Sequence, residues 1–264
     1  MILAPAFQEY EQSLRSAGSQ VIVWERNPEQ EFRLDEEFLV CLEKGLKEGL
    51  GIVFFCMPDN PSGVLISKDI LLQSLELCEK YYARMVVDES FWEFAFDQEA
   101  ETMLPYVGQF QSLFLLRSFT KMYGIPGLRL GYGLCSDTDL LERMEEVRQP
   151  WGVSIPAQEA GIAALDETDW CRQVRSYVTE QRMWLAGELE SMGCKVYPSS
   201  ANYLLFYLDQ ELMEPLKRKG ILIRNCSNYR GLTKGYYRIA VKTEEENRQL
   251  IDAIRDVIDN TDLR

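Results

Sequence analysis

The strongest constraint on this chain is a rhythm. Short, nearly unbroken apolar runs alternate with stretches whose apolar residues recur at helical spacing. The runs are QVIVW (20–24), GIVFFCM (51–57), RMVVDE (84–89), SLFLLRSF (112–119) and LRLGYGLC (128–135). Between the second and third runs, Ile70, Leu71, Leu75, Cys78 and Tyr82 fall on one helical stripe. Strands apolar at nearly every position need cover on both faces, and a crossover helix is what joins parallel neighbours. The pattern therefore predicts an α/β fold, a mostly parallel sheet sandwiched by helices.

After Pro150 the rhythm changes. A long helical region over 156–192 is interrupted at 166–169, where LDETD offers capping residues for a restart. CKVYPSSANYLLFYL, a helix near 210–219, GILIRN and YYRIAVK follow. A final helix opens with Thr243 and Glu246 at capping-box spacing and carries Leu250, Ile251, Ile254, Val257 and Ile258. The expected organisation is a large domain over 1–155, a connecting helical region over 156–192 and a smaller C-terminal α+β domain over 193–264.

Charge and residue usage narrow the function. A net charge of -14, from 42 acidic against 28 basic residues, opposes nucleic-acid and anionic-membrane partners. An anionic ligand must then be held by locally placed arginines. The 7 cysteines are odd in number, dispersed and free of CxxC pairs, so they read as reduced thiols of a cytoplasmic protein, not a disulfide frame or zinc site. MILAPAFQEYEQ has no basic segment ahead of an apolar one, which argues against a signal peptide. No apolar run approaches the roughly 20 residues that span a bilayer. Histidine is absent, which removes Ser-His and Cys-His nucleophiles and leaves proton transfer to Lys, Tyr, Cys, Asp or Glu.

In an open α/β sheet, ligands bind outside the carboxyl ends of the strands. Three successive runs end in polar residues that can meet there. FFCM is followed by Asp59, Asn60 and Ser62; MVV by Asp88 and Glu89; FLL by Arg117, Ser118, Thr120 and Lys121. Taken singly, NPSG is a good turn, Asp88 a helix cap and Lys121 a solvated lysine. Their joint placement on successive strand ends says more. Asp88 can hold a cationic ring nitrogen, and Asn60 can hydrogen-bond a phenolic oxygen. Ser118, Thr120 and Arg129 can grip a phosphate, while Lys121 can form an imine once its ammonium is desolvated. Those are the needs of pyridoxal 5'-phosphate.

The set NPSG (60–63), VVDESFWEF (86–94) and SFTKMYGIPGLRLGY (118–132) resembles the fold-type I, class I/II aminotransferase superfamily. The likeness runs on through QPWGVSIPAQEAG, SSANYLLF, LIRNCSNYRGL and YYRIAVKTEEEN. KMYGIPGLRLGY, PWGVS, ANYLLF and RNCSNYRGL are similar to the branch holding histidinol-phosphate aminotransferases and the threonine-phosphate decarboxylases of cobalamin biosynthesis.

The resemblance implies that Lys121 carries the cofactor and shuttles protons, and that Asp88 keeps the ring nitrogen protonated. It also implies that Asn60 contacts the ring oxygen and that Ser118, Thr120 and Arg129 hold the cofactor phosphate. Arg238 matches the arginine for the substrate carboxylate, and Arg224 one for the phosphate end of a substrate. Read from the residues alone, either arginine serves equally well in a structural ion pair.

The expected reaction is decarboxylation of L-threonine O-3-phosphate, a small phosphorylated amino acid, to 1-aminopropan-2-ol phosphate. A histidinol-phosphate-type or other transamination, or a protein of this fold without turnover, are the alternatives.

Two departures stand out. Phe91 occupies the position, three after Asp88, where most aminotransferases carry a tyrosine that donates to the ring oxygen. ILAPAFQEYEQSLRSAGSQV resembles a family segment from partway into the cofactor domain, so a first strand, a glycine-rich helix start and a ring-stacking aromatic are expected to lie before Met1. A sheet lacking that strand should expose apolar surface, which predicts a homodimer or poor stability.

Overall fold

A computed structural model describes residues 1–95 and 102–261. Its first sheet has six strands in the order β2-β1-β3-β4-β5-β6: β1 Ile2–Ala4, β2 Val23–Glu25, β3 Ile52–Cys56, β4 Arg84–Asp88, β5 Leu113–Ser118 and β6 Gly131–Leu134. The first five run parallel, and β6 lies antiparallel against β5. The five apolar runs became β2 to β6. The sixth strand, β1, was missed because only four residues, MILA, precede Pro5, too few to show a period. It nevertheless sits between β2 and β3, with its apolar side chains buried.

The helices of this half are α1 Gln8–Ser16, α2 Glu36–Lys47 and α3 Lys68–Lys80. Asp35 caps α2 through the Glu37 and Phe38 amides, and Ser67 caps α3 through the Ile70 amide. Phe38 and Leu42 of α2 and Leu71 and Leu75 of α3 bury against Val53, Phe55, Met85 and Val87. Removing each such side chain from water is worth about 1.5–3 kcal/mol. On the opposite face Tyr10 of α1 stacks on Phe54, rings 5.5 Å apart.

Past β6 come α4 Thr138–Val147, α5 Ile155–Leu165 and the 24-residue α6 Thr168–Ser191. The break between α5 and α6 falls within LDETD as expected, although no side chain there caps the start of α6. Cys171 and Val178 of α6 pack with Phe94 and Met122 beside the large sheet. Its later residues Leu185 and Leu189 lie in a second core, so one helix spans both.

That second core underlies an antiparallel sheet in the order β7-β8-β10-β9: β7 Lys195–Val196, β8 Tyr203–Tyr207, β9 Arg224–Asn225 and β10 Tyr236–Ala240. Helices α7 Met213–Arg218 and α8 Glu244–Thr261 complete it. The capping box forms as its spacing predicts, with the Glu246 amide donating to Thr243 Oγ1 and the Thr243 amide to Glu246 Oε2. Leu204, Phe206, Tyr237 and Ile239 face Ile251 and Ile254 of α8. Strand alternation then turns Arg238, between Tyr237 and Ile239, to the other face, toward the large sheet.

Gly131, Tyr132 and Gly133 of β6 are exposed, and so are Leu141, Met144, Val147, Trp151, Ile155, Ile162 and Leu165 beyond it. Apolar side chains are therefore exposed along and past β6. All seven cysteines are free. Among the described residues no helix is long and apolar enough to cross a membrane, and no cluster could hold a metal ion.

Candidate active site

Because β1, β3, β4 and β5 run parallel, their carboxyl ends share one edge of the sheet. Asp88 closes β4 and Ser118 closes β5, while Asn60 follows β3 in the turn of NPSG. The predicted constellation therefore converges.

The first cluster suits a phosphate. Ser118 Oγ and Thr120 Oγ1 lie 2.8 Å apart, and Ser118 Oγ also accepts from the Thr120 amide at 3.2 Å. Lys121 Nζ donates to Thr120 Oγ1 at 2.8 Å. Arg129 stands in the left-handed region at φ 54°, where a non-glycine residue is uncommon, and is anchored through Nη1 to the Pro126 carbonyl at 2.8 Å. Two hydroxyls, an ammonium and a guanidinium thus gather at one end of the site.

Lys121 is exposed to the cavity, yet its surroundings partly desolvate the amine and draw its pKa below the ordinary lysine value. The negative Asp88 opposes that shift and the positive Arg129 adds to it. Its Nζ stands 5.3 Å from the centre of the Phe91 ring, which meets Tyr203 edge-on at 5.1 Å. Where most aminotransferases would present a hydroxyl, Lys121 therefore meets an aromatic face.

Asp88 accepts from the Ser90 amide on Oδ1 at 2.9 Å and from the Tyr10 hydroxyl on Oδ2 at 2.6 Å. Both oxygens are thereby fixed, with lone pairs left for a further donor. Asn60 is buried and accepts from Arg238 Nη1, and the Arg238 guanidinium lies 5.0 Å from the centre of the Tyr203 ring. Tyr203 is held by donating to the Asp59 carbonyl at 2.6 Å.

Arg224 is the cross-strand partner of Arg238 in the β9–β10 ladder, lies 5.5 Å from the centre of the Tyr229 ring and donates to Asn228 Oδ1 at 3.1 Å. Lys121, Phe91, Asn202, Tyr203, Arg224 and Arg238 all line one cavity of about 680 Å³. Neither arginine has a carboxylate partner among the ion pairs of the described residues, whereas Arg26 and Asp59 pair in the interior at 2.8 Å.

Not every polar residue at the strand ends faces the site. Glu89 is buried and pairs with Arg117 at 2.5 Å, with Thr102 Oγ1 and the Met103 amide also donating to it. Arg117 further reaches Glu93 at 3.2 Å. This cluster braces β4 against β5.

The sequence reading missed the contribution of the first turn. Phe7, just past β1, stands exposed and edge-on to Tyr10 at 5.8 Å, and the Tyr10 hydroxyl in turn reaches Asp88. The available signal was ILAP, an apolar run ended by proline in the manner of FFCMP.

A parallel sheet with an antiparallel last strand, a lysine after β5, a carboxylate ending β4 and a hydroxyl-rich phosphate cradle define an enzyme of the pyridoxal-phosphate-dependent fold type I class. The donor set fits that cofactor: an anion for the ring nitrogen, a reachable amine and a cationic phosphate site. Residues 1–254 match the family model for aminotransferase class I and II, and the chain belongs to that family, whose enzymes use pyridoxal 5'-phosphate.

A threonine-phosphate decarboxylase from Salmonella typhimurium is 32% identical over 262 residues, covering 98% of this chain and 70% of that protein. A histidinol-phosphate aminotransferase 2 from Archaeoglobus fulgidus is 35% identical over 246 residues, 92% of this chain and 66% of that protein. The crystal structure of the histidinol-phosphate aminotransferase from Clostridium acetobutylicum superposes with a TM-score of 0.91 at 26% identity, covering 98% of this chain and 77% of that one.

Proposed function

We propose that this chain decarboxylates L-threonine O-3-phosphate to 1-aminopropan-2-ol phosphate and CO2. The observation that carries the reading is the pair Arg224 and Arg238, adjacent across two strands and lining one cavity with Lys121. Their hydrogen bonds run to Asn60 and Asn228 and not to the hydroxyl cradle that suits the cofactor phosphate, so the substrate itself should bear two anionic groups. An O-phosphorylated amino acid has a carboxylate for Arg238 and a phosphate for Arg224. Histidinol phosphate has a phosphate but no carboxylate.

The bound cofactor supplies an electron sink for the pair left behind when CO2 departs. This chain's residues do the rest. Arg238, oriented by Asn60 and Tyr203, grips the carboxylate and sets which bond at Cα stands across the ring plane. Asp88 keeps the ring nitrogen protonated, and Lys121, whose amine loses its proton more readily than an ordinary lysine, is placed to return a proton to Cα. Phe91 and Tyr203 wall the site with apolar surface.

A transaminase reading is favoured by one observation, the 35% identity to an aminotransferase, since paired arginines also suit a dicarboxylate amino donor. Incubating the cofactor-loaded protein with threonine phosphate and measuring CO2 separates the two. Release of CO2 with no need for 2-oxoglutarate supports decarboxylation. Amino transfer to 2-oxoglutarate without CO2 overturns it. The exposed apolar side chains over 141–165 support a further part of the proposal, that the chain works as a homodimer; a monomer on sedimentation would oppose it.

A further inference from the structure

We propose that Tyr10 is a positioning residue that orients the Asp88 carboxylate toward the cofactor's ring nitrogen. The proposal rests on the site reading above. Its hydroxyl meets Asp88 Oδ2 at 2.6 Å, while the Ser90 amide takes Oδ1 at 2.9 Å. A carboxylate held by one backbone amide can still swing about its last side-chain torsion. A second donor on the other oxygen stops that swing.

The tyrosine is itself fixed. Its ring stacks on Phe54 of the central strand β3 and takes the edge of Phe7 at 5.8 Å, so α1 delivers the phenol to Asp88 across 78 positions of sequence. Burial first, then the neighbouring Cys56 and Asp88, hold its pKa well above the ordinary tyrosine value. The phenol therefore stays protonated and donates throughout the neutral range. Cys56, the cross-strand partner of Asp88, turns its thiol to the Pro58 carbonyl at 3.3 Å and leaves this role to the tyrosine. Lys121 is the cation that acts on the same carboxylate from the turn after β5.

Tyr10→Phe keeps both ring contacts and deletes only the donor. It should weaken pyridoxal phosphate binding, measured as a dissociation constant by absorbance, by about tenfold, as expected for a hydrogen bond to a charged group. It should also change the visible circular dichroism of the bound cofactor, which reports ring orientation.

In an Asp88→Asn background the same substitution should cost much less, because no carboxylate remains to orient. Unchanged affinity and dichroism in Tyr10→Phe, or an equal cost in both backgrounds, would overturn the assignment. So would a lower melting temperature of the cofactor-free protein as the sole effect, since that marks a structural role. If the wild-type chain binds no pyridoxal phosphate, the site reading falls and this proposal falls with it.

Discussion

Arg238 Nη1 donates to Asn60 Oδ1, joining the central strand of the small sheet to the turn after β3 of the large one across 178 positions of sequence. The residues proposed to face the substrate and the cofactor are thus one unit. Arg238→Lys keeps the charge but loses the planar fork that grips a carboxylate. A fall in kcat/KM for threonine phosphate of about 10-fold to 100-fold is expected, from about 1.5–3 kcal/mol per lost charged hydrogen bond. Steady-state kinetics test it. Asn60→Ala should produce part of the same loss by freeing the guanidinium.

Arg224 is exposed within the cavity and rests on Tyr229. If it reads the substrate phosphate, Arg224→Ala raises KM for threonine phosphate by about tenfold while leaving binding of unphosphorylated threonine nearly unchanged. Equal effects on both ligands would remove that role.

The depressed pKa of Lys121 has a direct signature. A lysine whose pKa is lowered holds a larger neutral fraction at any pH below its ordinary value, and only the neutral amine condenses with an aldehyde. Reductive trapping of pyridoxal phosphate with borohydride, followed by peptide mass mapping across a pH series, should label Lys121 at lower pH than the surface lysines. Lys121→Ala should abolish the trapped adduct at that peptide.

Phe91 faces Lys121 with a ring and no hydroxyl. Phe91→Tyr adds a donor for the ring oxygen, which favours the deprotonated form of the lysine-linked cofactor. The visible absorbance of the bound cofactor should then titrate at a more acidic pH than in the wild type. No change on titration would mean that the new hydroxyl does not reach the oxygen.

Glu89 is buried, and its pKa is raised by that burial although Arg117 pulls it down. Arg117→Met removes the counter-charge and leaves the carboxyl uncompensated, costing about 3–5 kcal/mol near neutral pH. With the folded value pushed further above the unfolded one, the folded state binds the extra proton. The contribution is fully present below the unfolded pKa and is lost as pH rises through the folded one. Chemical denaturation of the variant should show stability falling with pH from the ordinary glutamate range upward, more steeply than in the wild type.

Much of the fold was legible because fully buried strands write themselves as continuous apolar runs: GIVFFCM, RMVVDE and SLFLLRSF each became a strand of the large sheet. β1 escaped because three residues carry no period. The polar residues at the strand ends were legible as a set, yet Glu89 and Arg117, equally polar and equally placed, turned to each other instead. Side-chain direction at a strand end depends on the turn that follows, and sequence does not show it. The contact of Tyr10 with Asp88 is not legible in the sequence, because an aromatic in a helix usually signals packing.

By itself the sequence determined the alternating α/β order, the capping box that opens α8, and the residue types able to hold a phosphate, a ring nitrogen and an imine. These depend on local periodicity and on chemistry that each side chain carries alone. Only the tertiary structure decided that Tyr10 meets Asp88, that Arg238 meets Asn60 and that Arg224 stands beside Arg238. Each of those contacts joins elements distant in the chain, and their geometry is set by sheet order and strand register, which no short window of sequence contains.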